Sequence, residues 1–189
     1  MNRSYDPLIH HRHTLRLEGY DYTRSEAYFV TLATQDREGL FGEISNGQMC
    51  LSLIGQCVSA VLQNLPNHFD IALDAFVIMP DHIHLVIIIK ENEHKKTDID
   101  LTSNHDKNVI LGQLPNGTVP NSLGAIIQNF KSVTSRKINS QRCTPGGKVW
   151  QRNYFERIIR NEKEMEQIRL YIINNPMNWM TDNCKDDAF

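Results

Sequence analysis

The chain has 189 residues, 40% of them hydrophobic and 22% charged, an ordinary globular balance that excludes wholesale disorder. Its 20 basic and 22 acidic side chains leave a formal net charge of -2. That total excludes a uniformly basic nucleic-acid packer and is silent about local patches. The length suggests one domain carrying an insertion.

The first residues, MNRSYDPLIHHRHTLRL, lack the apolar core of a secretory signal. The longest apolar runs, 75–79 and 85–89, fall far short of the ~20 residues that span a bilayer. The expectation is a cytoplasmic protein with no membrane partner. Cys50, Cys57, Cys143 and Cys184 form no CxxC pair and read as reduced thiols.

Residues 1–27 are polar and read as an N-terminal arm. Within it stand His10, His11, Arg12 and His13, with Arg12 the candidate contact to a phosphate. The β-branched and aromatic run 28–34 predicts a strand. Over 46–65, Ile54, Cys57, Val58, Val61, Leu62 and Leu65 recur at helical spacing, and Pro66 ends the predicted helix. Residues 71–79 and 82–90 are strand-like, joined by a Pro80-Asp81 turn. In the second run Ile83, Leu85, Ile87 and Ile89 point one way, and His82, His84, Val86 and Ile88 the other.

Residues 91–120 are polar and Asn-rich, and read as a flexible insertion. Asn121 or Ser122 caps a helix to about Ile138, with Leu123, Ile126, Phe130 and Val133 as its stripe. Residues 148–151 and 155–159 are short strand-like pieces. A last helix runs from Glu162 to about Asn175, with Met165, Ile168 and Ile172 on one face, and Pro176 is expected to stop it. The order β-α-β-β-α-β plus a helix predicts an α+β fold, the ferredoxin-like or RRM-like split βαβ with an antiparallel sheet. The crossover helices would cover one face, leaving His82 and His84 for the C-terminal helix to cover.

Three features bear on chemistry. His82 and His84, at i and i+2 of a strand, share a face with Cα atoms ~6.7 Å apart, so two imidazoles can converge on one ion. The plainer alternative is a pair of hydrogen-bonded histidines on a half-buried sheet. Tyr171 and Asn175 share a helix face. A phenol can attack phosphorus, and a carboxamide oxygen suits Mg²⁺ or Mn²⁺; the plainer alternative is a packed aromatic and a polar residue before a proline. Third, residues 131–160 hold eight basic side chains against Glu156 alone, a local +7. Lys131, Arg136, Lys137 and Arg152 are its candidate DNA contacts. Trp150, Tyr154 and Phe155 interleave with the charges, as single-stranded nucleic acid asks of a surface. Phe130, just before them, reads as core.

Several segments together resemble the REP-associated tyrosine transposases. They are 17–22 (LEGYDY), 28–32 (YFVTL), 40–44 (LFGEI), 76–84 (FVIMPDHIH), 149–154 (VWQRNY), 158–162 (IIRNE) and 171–176 (YIINNP). That family belongs to the single-tyrosine HUH transposases (the IS200-like group), where U is a bulky apolar residue. The resemblance covers about 10–180 apart from the insertion. It implies an RRM-like catalytic domain over 28–180, with 181–189 a C-terminal tail. It further implies a divalent metal, Mg²⁺ or Mn²⁺, held by His82, His84 and Asn175. Tyr171 would be the nucleophile that cleaves and rejoins single-stranded or hairpin DNA through a 5′-phosphotyrosine. Members of the wider superfamily are often homodimers, and some relatives in this branch act as monomers. Two other readings stand beside it: a catalytically silent hairpin-binding descendant, and an RRM-like RNA-binding module. An RNP1-like string is absent, and histidines fill the central-strand positions where stacking rings would be wanted.

Overall fold

The computed structural model describes residues 21–90 and 119–186. Arg12, most of the arm and nearly all of the insertion lie outside the described residues. The elements are β1 (Ala27–Ala33), β2 (Gly42–Ser45), β3 (Gln48–Leu51), α1 (Leu53–Gln63), β4 (Ile71–Ile78), β5 (His82–Ile89), α2 (Leu123–Gln141), β6 (Phe155–Ile159) and α3 (Glu162–Asp186). The main sheet runs β4-β5-β1-β6 and every pairing in it is antiparallel. The fold is the expected α+β split βαβ, with β1 and β5 central and a C-terminal helix appended.

Sequence alternation decides the two faces. Val30, Leu32, Ile83, Leu85 and Ile87 pack with Val58 and Leu62 of α1 and Ile126, Ile127 and Phe130 of α2 in the larger core. Val86 and Ile159 turn to the other face and pack with Met165 and Ile172 of α3. The crossover helices therefore close one face and α3 covers the other. Both crossover helices are capped by serine: Ser52 accepts from the Gly55 N–H at 3.0 Å, and Ser122 from the Ala125 N–H at 3.3 Å. Gly55 lets α1 approach the chain closely, since a Cβ there would stand 2.1 Å from the Phe41 carbonyl oxygen.

Three local expectations change. The expected helix over 46–65 begins only at Leu53, because 48–51 form β3 and pair with β2. Asn46 and Gly47 both have positive φ (51° and 73°), the Asn-Gly turn that joins two strands in a two-residue hairpin. Residues 148–151 form no strand; Trp150 makes only an isolated bridge to Thr34. Finally, α3 passes through Pro176 instead of stopping there. Packing on both sides of the proline holds the helix: Ile172 and Asn175 are buried before it, Met177 lies against Gly47, and the Trp179 ring meets His82.

Candidate active site

The strand β5 carries His82 and His84 to the α3 face, where they are 7% and 6% exposed. Each ring is oriented from behind. Asp81, in the turn before β5, lies 2.5 Å through Oδ1 from His82 Nδ1, and its Oδ2 is 3.4 Å from Arg37. Thr31, opposite His84 on β1, places its hydroxyl 2.8 Å from His84 Nδ1. With both Nδ1 atoms engaged, the two Nε2 atoms face each other 3.1 Å apart. A His82 that donates through Nδ1 to the carboxylate keeps its Nε2 lone pair for that shared point. Burial, followed by the charges of His82 and Arg37, pushes the His84 pKa down to about 3. Its ring is thus the neutral, ligating form at physiological pH.

The helix α3 meets this pair along its side, through Tyr171 and Trp179. Asn161 accepts from the Glu164 N–H at 2.9 Å, and Glu164 reaches back to the Arg160 N–H at 3.0 Å, fixing where the helix starts. Arg169 then ties α3 to β4 by a fork onto Asp74, Nε to Oδ2 at 2.8 Å and Nη2 to Oδ1 at 2.7 Å. Asp74 sits where the β4 register shifts between Leu73 and Phe76. The Arg169 guanidinium holds the Asp74 carboxyl below its ordinary value of 3.8. Two residues beyond this clamp, the Tyr171 hydroxyl stands 3.2 Å from His84 Nε2 while the residue remains 48% exposed. Asn175 follows one turn later, 9% exposed, and Trp179 one turn further, its ring centroid 5.6 Å from His82. The helix thus sets Tyr171 against His84 and Trp179 against His82, with Asn175 on the turn between them.

The donor set fits a divalent ion. Two nitrogens each ~2.1 Å from one ion, at close to a right angle, lie ~3 Å apart, as these two do. Among the described residues no three His, Cys, Asp or Glu side chains gather at one point. A third protein donor would therefore be an amide or hydroxyl oxygen, and Asn175 is the buried amide at hand.

The basic tract does not form one patch. Lys131 turns inward: its ammonium donates to the carbonyls of Gln151 at 2.8 Å and Asn153 at 3.2 Å, and burial pushes its pKa down to about 8. Arg142 forks onto Glu38, and Arg157 pairs with Glu164 at 2.6 Å. Arg136 and Lys137 are exposed on α2, in the layer behind the sheet from Tyr171, and Arg152 is exposed in the segment leading to β6. Phe130 is core, as expected, and Trp150 is buried with its Nε1–H donating to Thr134.

Sequence reading missed Asp81, Thr31, Arg37 and Trp179. A signal existed for two of them. Asp81 directly precedes His82, and Trp179 continues the i, i+4 row begun by Tyr171. Thr31 needed the β1–β5 register, and Arg37 a turn with two successive positive φ values, 55° at Asp36 and 56° at Arg37.

No protein-family model matches the chain. An uncharacterized protein of Haemophilus influenzae is 40% identical over 190 residues, 99% of this chain and all of that protein. The two belong to one family. A second Haemophilus influenzae protein, provisionally named a REP-associated tyrosine transposase, is 27% identical over 157 residues, 83% of this chain and 73% of its own length. A solved REP-associated tyrosine transposase, bound to a REP hairpin, superposes with a TM-score of 0.54 at 15% identity, covering 86% of this chain and 73% of that one. The chain is thus similar in sequence to one protein of that name and in fold to another. With that transposase fold the two histidines stand on a central strand and the tyrosine on the C-terminal helix. No helix among the described residues is long and apolar enough to cross a membrane.

Proposed function

We propose that this transposase relative is a single-strand DNA nicking and strand-transfer enzyme in which Tyr171 is the nucleophile and His82, His84 and Asn175 hold a divalent metal, Mg²⁺ or Mn²⁺. One observation carries the reading: a half-exposed phenol 3.2 Å from His84 Nε2, which is itself 3.1 Å from His82 Nε2. A phenol poised beside a paired-imidazole site has little use in packing and a direct use in phosphoryl transfer. When bound, the metal would supply Lewis-acid polarisation of the scissile phosphate.

The chain's own residues do the rest. Asp81 and Thr31 fix the imidazole planes, so the site is organised before DNA arrives. Arg169 and the buried Ile172 hold α3 so that the Tyr171 oxygen faces the histidine edge. In the reaction the Tyr171 oxygen bonds to phosphorus as the bond from phosphorus to the 3′-oxygen breaks. The phenol gives up its proton, and the departing 3′-oxygen takes one up. The product is a 5′-phosphotyrosine whose bond energy is kept for rejoining, so no nucleotide cofactor is needed. Hairpin DNA is the substrate class, as the REP hairpin on the solved relative suggests. Arg136, Lys137 and Arg152 would meet backbone phosphates away from the cut.

The test is a denaturing gel with hairpin oligonucleotides taken from palindromes beside the gene, in Mn²⁺. Wild type should give a protein–DNA adduct that Tyr171→Phe does not, and EDTA should prevent it. Hairpin binding by wild type with no adduct in Mn²⁺ or Mg²⁺ would instead mark a silent DNA-binding descendant.

A further inference from the structure

Phe155 begins β6, the edge strand of the sheet, and is 42% exposed. The β6 register sets it opposite Thr31, and the β5 register sets Thr31 opposite His84. His84, Thr31 and Phe155 therefore form one row across three strands, on the face that α3 enters. Two strand spacings, ~10 Å, separate the histidine from the phenylalanine. Phe29 links them: its ring lies 5.4 Å from His84, 6.0 Å from Tyr171 and 6.2 Å from Phe155, between ring centroids.

The three aromatics interleaved with the basic tract now separate. Trp150 is buried, and Tyr154 lies half-buried under the Lys131 ammonium, 5.4 Å from its ring centroid. Of the three, only Phe155 offers an exposed ring, and Phe29 lies between it and Tyr171. The next residue on the same strand face, Arg157, is engaged by Glu164 at 2.6 Å and supplies no charge here. A single exposed ring is too small for a stable protein interface. It offers the flat apolar face on which one base stacks.

We infer that Phe155, backed by Phe29, is a stacking platform for one unpaired base next to the phosphate that Tyr171 attacks. The inference rests on the reading of Tyr171 as the nucleophile, and it makes the substrate strand single-stranded at that base. Stacking accepts any base, so Phe155 would set the position of the cut along the strand and leave the sequence to other contacts.

The probe is the same hairpin with single-stranded flanks, carrying 2-aminopurine at successive flank positions. Binding is measured in the Tyr171→Phe background so that no adduct forms. One position should be quenched on binding, and Phe155→Leu should release that quenching and weaken affinity at least about five-fold, while Phe155→Tyr retains both. An abasic site at that position should weaken the Phe155-containing protein equally and cost Phe155→Leu nothing further; this arm leaves the fold untouched. Quenching that Phe155→Leu leaves unchanged at every position overturns the inference, as does an abasic loss that adds in full to that of Phe155→Leu. A dimer in sedimentation that Phe155→Leu dissociates would give the ring to a second copy and overturn it too. If wild type forms the Tyr171 adduct and no stacking is found, only this inference fails. If no adduct forms on Tyr171, the nucleophile reading and this inference fail together.

Discussion

The two faces of the sheet are built from the same strands to opposite ends. The α1/α2 face is closed by Val58, Leu62, Ile126, Ile127 and Phe130 against Leu85 and Ile87, and its stabilisation comes from apolar area removed from water. The α3 face holds a smaller apolar cluster around Val86 and Ile172, and beside it two buried imidazoles, a buried carboxylate and a half-exposed phenol. Polar groups of that kind are costly to bury unless each is partnered, and here Asp81 and Thr31 partner the histidines. One face supplies the stability that lets the other bury partnered polar groups.

Substitutions on each side should separate these roles. On the α3 face, Tyr171→Phe should abolish the covalent adduct and leave hairpin affinity and melting temperature nearly unchanged; an adduct that survives would move the nucleophile elsewhere. On the closed face, Phe130→Ala should cost ~3–5 kcal/mol in urea unfolding while the folded fraction still forms adduct. If Phe130→Ala silenced the chemistry of folded protein, the division between faces would not hold.

His82→Ala or His84→Ala should cut metal-dependent cleavage by more than ~10-fold, because a site left with one imidazole holds its ion weakly. Undiminished cleavage would return both residues to simple packing. A smaller effect is expected at the clamp that seats α3. The Asp74 carboxyl is held below 3.8 in the folded protein by Arg169, so its contribution is present above 3.8 and lost as pH falls through the lowered value. Asp74→Asn should lower stability at neutral pH and flatten the acid limb of the stability profile; an unchanged acid limb would show the fork to be idle. The smallest effect belongs to the layer behind the sheet. Neutralising Arg136 and Lys137 should flatten the salt dependence of DNA binding by ~0.7 in slope for each single-strand phosphate they no longer neutralise. No change would make them a solvated helix face.

Legibility followed the range of the interaction. A cap at Asn121 or Ser122, the α2 stripe and the HIHLVIII alternation are local and readable; the structure selects Ser122. The β2–β3 hairpin was readable too, since Asn46-Gly47 is a strong turn signal, but the apolar stripe after it drew the helix boundary too early. Pro176 misled in the opposite direction. A proline ends a helix when nothing else holds the chain, and here Trp179 and Met177 are held beyond it. The +7 tract was an accurate count but a poor map, because Lys131, Arg142 and Arg157 spend their charge within the protein.

By itself the sequence determined that His82 and His84 share a face of a central strand and that Tyr171 and Asn175 share a face of a helix. Period 2 in strands and 3.6 in helices are properties of the backbone alone. Only the tertiary structure decided that these two faces meet. Burial of Val86, Ile159, Met165 and Ile172 seats α3 on the sheet and brings the phenol to 3.2 Å from His84. It also decided which ring nitrogens face each other, since Asp81 and Thr31 reach the Nδ1 atoms only once the turn and β1 are in place. Contacts between residues as far apart as Thr31, His84 and Tyr171 are set by packing, which no local spacing encodes.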